Sequence, residues 1–366
     1  MDTLPLHGGD LETASEHYGV ALEQWIDLST GINPESYPVD SLDVASFQYL
    51  PYLKPAFIQA AKSYYLGHKN NDLDEKNLLA VSGSQAVIQL LPECLPSLPV
   101  LLPELGYQEH RMQWQQSGSQ ITNYPSTEHQ ASLTFINEAL QKNNQQHLVV
   151  INPNNPTGLR FAPAQLKLWA SELGEGAYLI IDEAFVDTQP ELSVIRQDFE
   201  PNMVVLRSFG KFFGLAGLRL GFAFANEKLI QSFQKRLGLW TINGPAQSIA
   251  TTAFQDGVWQ QWARENIVKT AEQNQALFKP LFDYLQRKHE TGYDVFHEAL
   301  FSSYYLPILE AEKLYGYFAK RGILFRLVPV NDCYSFVRIG HIKTSDQSGI
   351  DRVEVAVSSY LAEIKA

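Results

Sequence analysis

Residues 208–221 read "SFGKFFGLAGLRLG", and they place Lys211 between Gly210 and two phenylalanines, with Ser208 three residues before it and Arg219 eight after. A lysine in a partly desolvated pocket has a lowered amine pKa and can form a Schiff base with an aldehyde. A serine hydroxyl and an arginine beside it are natural ligands for a phosphate. Asp182 follows the apolar run "YLII" (178–181), where a carboxylate is costly unless it meets a cationic or hydrogen-bonded partner. A protonated pyridine nitrogen is such a partner, and so is a magnesium ion.

Each of these groupings has competing readings. "YLIIDEA" has the form of the acidic strand of a nucleotide hydrolase, which also requires a G-x-x-x-x-G-K-[ST] loop. The one Gly-Lys pair, Gly210-Lys211, is followed by Phe212 and lies after the acidic strand, so that reading fails. Ser208 to Lys211 matches the S-x-x-K of serine acyl-enzymes, but neither companion triplet, S-D-N or K-T-G, occurs. What remains is an aldehyde cofactor with a phosphate and a ring nitrogen, the constellation of pyridoxal phosphate.

Two further clusters suit it. In "SGSQ" (82–85) Gly83 allows close backbone approach, and the amides of Ser84 and Gln85 open a helix whose positive end favours phosphate; by itself the tetrapeptide reads as an ordinary helix cap. In "NPNNPTG" (152–158) two prolines and a glycine fix an irregular loop that points Asn155 inward, where a plain turn is the alternative.

The elements that must carry these residues are legible as apolar runs. "LLAV" (78–81), "VLL" (100–102), "HLVVI" (147–151), "YLII" (178–181), "MVVL" (203–206) and "LGFAF" (220–224) alternate with amphipathic stretches such as "SQAVIQLL" and "YQEHRMQWQQSG". That pattern predicts an α/β domain with a mostly parallel sheet covered on both faces. The polar clusters fall at the carboxyl ends of four strands, where ligands collect in such sheets. After about residue 260 a long helix, short strands and a last helix predict a smaller α+β domain. The expected division is a large domain over 40–250, with an N-terminal arm (1–39) and residues 251–366 forming the small one.

Composition bounds the partners. Lys plus Arg number 28 against 40 Asp plus Glu, a formal charge of -12 and a pI of about 5.2, so the surface repels nucleic acid and anionic lipid. An anionic ligand must be held by local amides and a few cations. Cys94 and Cys333 are the only cysteines, which indicates neither a disulfide framework nor a metal site and suits a reducing cytoplasm. The start "MDTLPLHGGDLE" has no signal-peptide pattern, and no apolar stretch approaches the length of a membrane span.

The blocks "NPNNPTG", "DEAF" and "S-x-x-K…GLRLG" resemble, in order and spacing, the fold-type I pyridoxal-phosphate enzymes of the aspartate aminotransferase superfamily, over nearly the whole chain. The resemblance implies that Lys211 binds the cofactor aldehyde, Asp182 pairs with the ring nitrogen and Asn155 bonds the ring hydroxyl. It assigns Ser208, Arg219 and the amides at Gly83 and Ser84 to the phosphate, and His110 to stacking on the ring. It also implies a homodimer, in which Tyr49 or Tyr52 of "QYLPYL" reaches the partner's cofactor.

More narrowly, "HGGDLETASEHYG" followed by "WIDLSTGINPESYP" resembles the N-terminal signature of the threonine-phosphate decarboxylases of cobalamin biosynthesis, relatives of the histidinol-phosphate aminotransferases. This implies His7 and Asn33 as substrate contacts, Arg338 of "SFVRIG" as the carboxylate ligand and Arg326 of "GILFR" as a second anion ligand. Phe185 stands where aminotransferases commonly carry a tyrosine, in agreement with that assignment. The implied reaction is decarboxylation of L-threonine O-3-phosphate. The alternatives are a histidinol-phosphate-type aminotransferase and a partner protein that kept the fold without the chemistry; the joint presence of Lys211, Asp182, Asn155 and Arg219 opposes the latter.

Overall fold

The run His147–Ile151 is buried at every residue, and so are Leu78–Val81, Val100–Pro103, Leu179–Asp182 and Gly221–Phe224. Strands covered on both faces have no polar alternation, and that is why these segments read as continuous apolar runs. A computed structural model describes residues 7–39, 44–67, 73–197, 199–289 and 295–366. Its chain divides into two compact units, Ser36–Trp262 and Met1–Glu35 with Ala263–Ala366. The division at Trp262 lies near the texture change after about residue 260 and falls inside the helix Gly257–His289, twelve residues beyond the expected boundary at 250.

Ser36–Trp262 is built on a seven-stranded sheet in the order Leu78–Val81, Gly221–Phe224, Met203–Ser208, Leu179–Asp182, His147–Ile151, Val100–Pro103, Ile121–Tyr124. Gly221–Phe224 runs antiparallel to both neighbours, and the other pairings are parallel. Helices Gln85–Cys94, Gln108–Gln116 and Pro163–Glu172 each follow a strand, giving the expected α/β layering. One face packs Val81, Val87, Ile88, Leu91, Val149, Ile180 and Val204 into a single cluster. Each such aliphatic side chain contributes about 1.5–3 kcal/mol relative to exposure.

Register sets the ends that matter. Ile151 pairs with Asp182 and Asp182 with Leu206, while Ser208 and Val81 both pair with Gly221. The residues that follow four strands are therefore gathered along one edge of the sheet.

Met1–Glu35 with Ala263–Ala366 has its own antiparallel sheet, in the order Arg326–Pro329, Tyr334–Ile339, Phe301–Pro307, Phe296–Glu298. Phe278, Leu314, Phe318, Val337, Val353 and Tyr360 belong to its core. The N-terminal segment is stitched into this unit by a parallel pairing of Ile26–Asp27 with Ile323–Leu324, and by a 2.7 Å bond from the Gly340 amide to the Leu28 carbonyl. Asp346 caps the last helix, Gln347–Lys365, by accepting from the Gly349 amide at 2.9 Å. Among the described residues no helix is long and apolar enough to cross a membrane.

Candidate active site

Along that sheet edge lies a pocket whose lining includes Gly83, Ser84, Asn155, Asp182, Ser208, Lys211 and Arg219. Seven residues separated by up to 136 positions in sequence thus meet in one cavity of Ser36–Trp262.

One end of the pocket is built for an anion. The helix Gln85–Cys94 starts here, so its positive end meets the pocket, while the Ala86 and Val87 amides bond the Gly83 and Ser84 carbonyls at 3.1 and 3.0 Å. Close packing needs glycine at two points. A Cβ on Gly83, whose φ is +79°, would meet Arg219 Nη2 at 3.0 Å, and one on Gly221 would meet the Ser84 amide nitrogen at 2.5 Å. Arg219 is itself left-handed at φ 52°, uncommon for a side-chain-bearing residue. Its Nη1 donates to the Ala216 carbonyl at 3.3 Å.

Ser208 ends the strand Met203–Ser208, and Lys211 sits in the single turn Phe209–Phe212 that follows. Gly210 is required for that turn to close, since a Cβ there would approach Ala216 Cα to 2.6 Å. The Lys211 ammonium lies over the Phe185 ring, 5.5 Å from its centroid.

Asp182 supplies the negative charge. It is 3% exposed at the end of Leu179–Asp182. Its Oδ1 accepts from the Ala184 amide at 3.1 Å, and its Oδ2 lies 3.1 Å from His110 Nε2. His110 Nδ1 is buried with no hydrogen-bond partner. An orphaned lone pair costs less there than an orphaned N–H, so the proton belongs on Nε2, which donates to the carboxylate.

This corrects the expectation for His110. It does not line the pocket; it stands behind Asp182, 1% exposed. The aromatic residues of the lining are Phe185 and Tyr107, the latter directly preceding the helix Gln108–Gln116. The Tyr107 and His110 rings are neighbours, edge-on with centroids 6.4 Å apart, and the tyrosine is the one that lines the pocket. The Tyr107 hydroxyl donates to Gln85 Oε1 at 3.1 Å, and Gln85 Nε2 donates to Glu109 Oε2 at 2.6 Å. Burial pushes the Tyr107 hydroxyl up to about 12, with Glu109 and Asp182 acting in the same direction and Arg219 against them. The tyrosine stays neutral across the working range. Its sequence signal was an aromatic residue closing the loop after a strand.

Asn155 projects from a loop held by its neighbours. Asn152 exchanges two bonds with the Phe161 backbone, at 3.0 and 2.8 Å, and the Asn154 backbone bonds Leu159 and Gly158, each at 2.8 Å. The prolines Pro153 and Pro156 both follow cis peptide bonds.

The remaining expected residues belong to Met1–Glu35 with Ala263–Ala366. His7 is exposed, and Asn33 is buried with Oδ1 accepting from the Glu35 amide at 3.1 Å. The turn after His7 is anchored by a 2.7 Å bond from the Gly9 amide to Ser29 Oγ, and Arg338 Nη2 donates to the Ser29 carbonyl. Arg326 and Arg338 are directly opposite on adjacent strands. Burial pulls the Arg338 guanidinium down to about 10, with Arg326 acting the same way and Asp27 against it. Burial also lowers Arg326, opposed by Tyr315. Like charges facing across a sheet are destabilising, and a bound anion would relieve that.

Comparison with known proteins fits this geometry. Residues 32–340 match the family model "Aminotransferase class I and II". The chain is 35% identical to a threonine-phosphate decarboxylase of Pseudomonas aeruginosa over 322 residues, 87% of this chain and 88% of that protein. It is 37% identical to a threonine-phosphate decarboxylase of Sinorhizobium sp over 257 residues, 68% and 72% of the two chains. Its fold is similar to that of the histidinol-phosphate aminotransferase from Sinorhizobium meliloti in complex with pyridoxal-5'-phosphate, with a TM-score of 0.78 at 19% identity, covering 99% and 96% of the two chains. With the sheet, the pocket and the sequence likeness in agreement, the chain belongs to the aminotransferase class I and II family.

Proposed function

We propose that the protein is a pyridoxal-phosphate-dependent carboxy-lyase that converts L-threonine O-3-phosphate to (R)-1-amino-2-propanol O-2-phosphate, a precursor of the cobalamin side chain. The observation that carries this choice is the likeness to two threonine-phosphate decarboxylases, at 35% and 37% identity. The pocket alone serves transamination equally well.

The donor set fits the cofactor. Ser208, Arg219 and the amides at Gly83 and Ser84 suit its phosphate; Asp182 suits a protonated ring nitrogen, Asn155 the ring hydroxyl and Lys211 the aldehyde. Glycine at 83 and 221 lets the Arg219 guanidinium and the Ser84 amide approach closely at that end of the pocket, where the phosphate would sit. When bound, the cofactor supplies an electron-accepting ring for a bond broken at Cα of an amino acid. Phe185 offers no hydroxyl, so Asn155 alone serves the ring oxygen.

In this reading Arg338 would hold the substrate carboxylate and so orient the bond to be broken at Cα. Arg326 and His7 take the substrate phosphate, and Asn33 makes a further contact. Lys211 returns a proton to Cα where carbon dioxide has left.

We also infer a homodimer in a reducing cytoplasm. Tyr49 and Tyr52 are 74% and 66% exposed, their sequence neighbours Phe47 and Leu50 are exposed too, and Tyr52 packs edge-on against Trp240 with ring centroids 5.9 Å apart; exposed apolar side chains of this kind suit a second copy. Carbon dioxide release from L-threonine O-3-phosphate, with no keto acid present, tests the activity.

A further inference from the structure

Behind the two strand ends that carry Asp182 and Ser208 lies a buried charge cluster that the reaction does not use. Successive residues of a strand point to opposite sides. Glu183 and Arg207, the chain neighbours of Asp182 and Ser208, therefore turn away from the pocket, and they are 0% and 1% exposed. Arg207 Nη1 donates to Glu183 Oε2 at 3.1 Å and to Ser193 Oγ at 2.8 Å, and its Nη2 donates to Asp187 Oδ1. Glu183 also accepts from Ser193 Oγ and, at 2.8 Å, from the Val194 amide. Tyr64 donates to Asp187 at 3.1 Å, and the guanidinium carbon lies 4.7 Å from the Tyr65 ring centroid.

The cluster is more than one ion pair. Glu183 and Asp187 bracket Ala184 and Phe185, both of which line the pocket, and a single planar guanidinium holds both ends of that arc. The same guanidinium belongs to the strand that ends in Ser208, and the Glu183 amide donates to the Leu206 carbonyl at 2.9 Å. Two carboxylates face one guanidinium, and buried ion clusters of this kind are often worth no more to stability than apolar packing of the same volume. Burial drives the Glu183 carboxyl above its usual value, against the pull of Arg207.

We propose that Arg207 is a positioning residue for the cofactor site, clamping Glu183 and Asp187 so that Asp182, Phe185 and Ser208 are presented in fixed register. The inference rests on the pyridoxal-phosphate reading of the pocket. Lysine could not replace arginine here, because a point charge on a flexible stem lacks the planar fork that reaches both carboxylates.

The test titrates apoprotein of the full chain with pyridoxal phosphate. It measures the dissociation constant, the circular dichroism induced in the cofactor band and the melting midpoint of the apoprotein, for wild type, Arg207→Lys, Glu183→Gln and Lys211→Ala. Arg207→Lys should weaken cofactor binding by about tenfold, the lower end of the effect of removing a supporting partner from a bound group, and reduce the induced band. Glu183→Gln keeps the shape but replaces one acceptor with a donor facing Arg207 and Ser193; it should lower the melting midpoint while remaining folded and bind the cofactor several-fold more weakly. If Arg207→Lys does not fold, Glu183→Gln decides alone. A folded Glu183→Gln protein with wild-type affinity and an unchanged band would overturn the proposal and leave the cluster a structural one. If wild type binds no cofactor, or Lys211→Ala gives the wild-type spectrum, the reading of the pocket itself fails, an outcome separate from any difference among the cluster variants.

Discussion

His110 Nε2 lies 3.1 Å from Asp182 Oδ2, with side chains only 2% and 4% exposed. The bond holds the carboxylate in one orientation at the pocket wall and keeps the imidazole proton on Nε2. His110→Phe keeps the bulk and removes the donor. It should lower kcat by about 10- to 100-fold with a smaller effect on KM, as loss of a supporting hydrogen bond does. Asp182→Ala should lower kcat further, by on the order of 10²–10³-fold. Steady-state kinetics on the purified variants decide it, and wild-type kcat in His110→Phe would show that the pair is not needed.

Lys211 is expected to carry the cofactor. Borohydride reduction should abolish the visible band of the yellow protein and leave the cofactor on the peptide containing residue 211. Lys211→Ala should lose the linkage, and attachment at another lysine would refute the site.

Substituting His7 or Arg326 should weaken binding of L-threonine O-3-phosphate more than binding of threonine, by about 2 kcal/mol, the loss of one charge-assisted bond to phosphate. Equal losses for both ligands would remove these residues from the phosphate.

Stability should depend on pH through His341. Burial pulls its imidazole from 6.5 down to about 4, so the folded state resists protonation that the unfolded chain accepts. A depressed pKa contributes stability that is full above pH 6.5 and is lost as pH falls through about 4, on the order of 3 kcal/mol in all. Urea midpoints measured from pH 7 to pH 4 should fall less steeply for His341→Leu than for wild type. Parallel curves would show that the imidazole is not the group responsible.

If Tyr49 or Tyr52 crosses to a partner's site, mixing inactive Lys211→Ala subunits with inactive Tyr49→Phe or Tyr52→Phe subunits should restore activity. A stable, active monomer in sedimentation would contradict the dimer.

Strands buried on both faces announce themselves by unbroken apolar runs, so the sheet and the polar residues at its edge could be read from sequence. Ile121–Tyr124 could not, because two of its four residues, Thr122 and Asn123, are exposed and polar and break the apolar run. His110 was misread because sequence brings two rings, Tyr107 and His110, near the site, and only the fold shows that the tyrosine lines the pocket while the imidazole pairs with Asp182. The Arg207 cluster was equally hidden. Glu183, Asp187, Ser193 and Arg207 carry no spacing rule, and it is strand alternation plus a return of the chain past Ser193 that joins them. Likewise, nothing in "WIDLS" foretells that Ile26 and Asp27 pair with Ile323 and Leu324.

Phe185 faces both Lys211 and the question of reaction type. Phe185→Tyr restores a hydroxyl to the pocket and should raise the fraction of turnovers that end in the cofactor's amine form, read as loss of the aldehyde absorbance during reaction. No change in that fraction would leave Phe185 without a part in the outcome.

The most direct measurement is carbon dioxide released per active site from L-threonine O-3-phosphate in the absence of any keto acid. A decarboxylase regenerates its aldehyde cofactor, so release should continue over many turnovers, with (R)-1-amino-2-propanol O-2-phosphate accumulating in equal amount. Arrest after one equivalent with the cofactor in its amine form, together with rescue by 2-oxoglutarate when histidinol phosphate is supplied, would contradict the account and identify an aminotransferase.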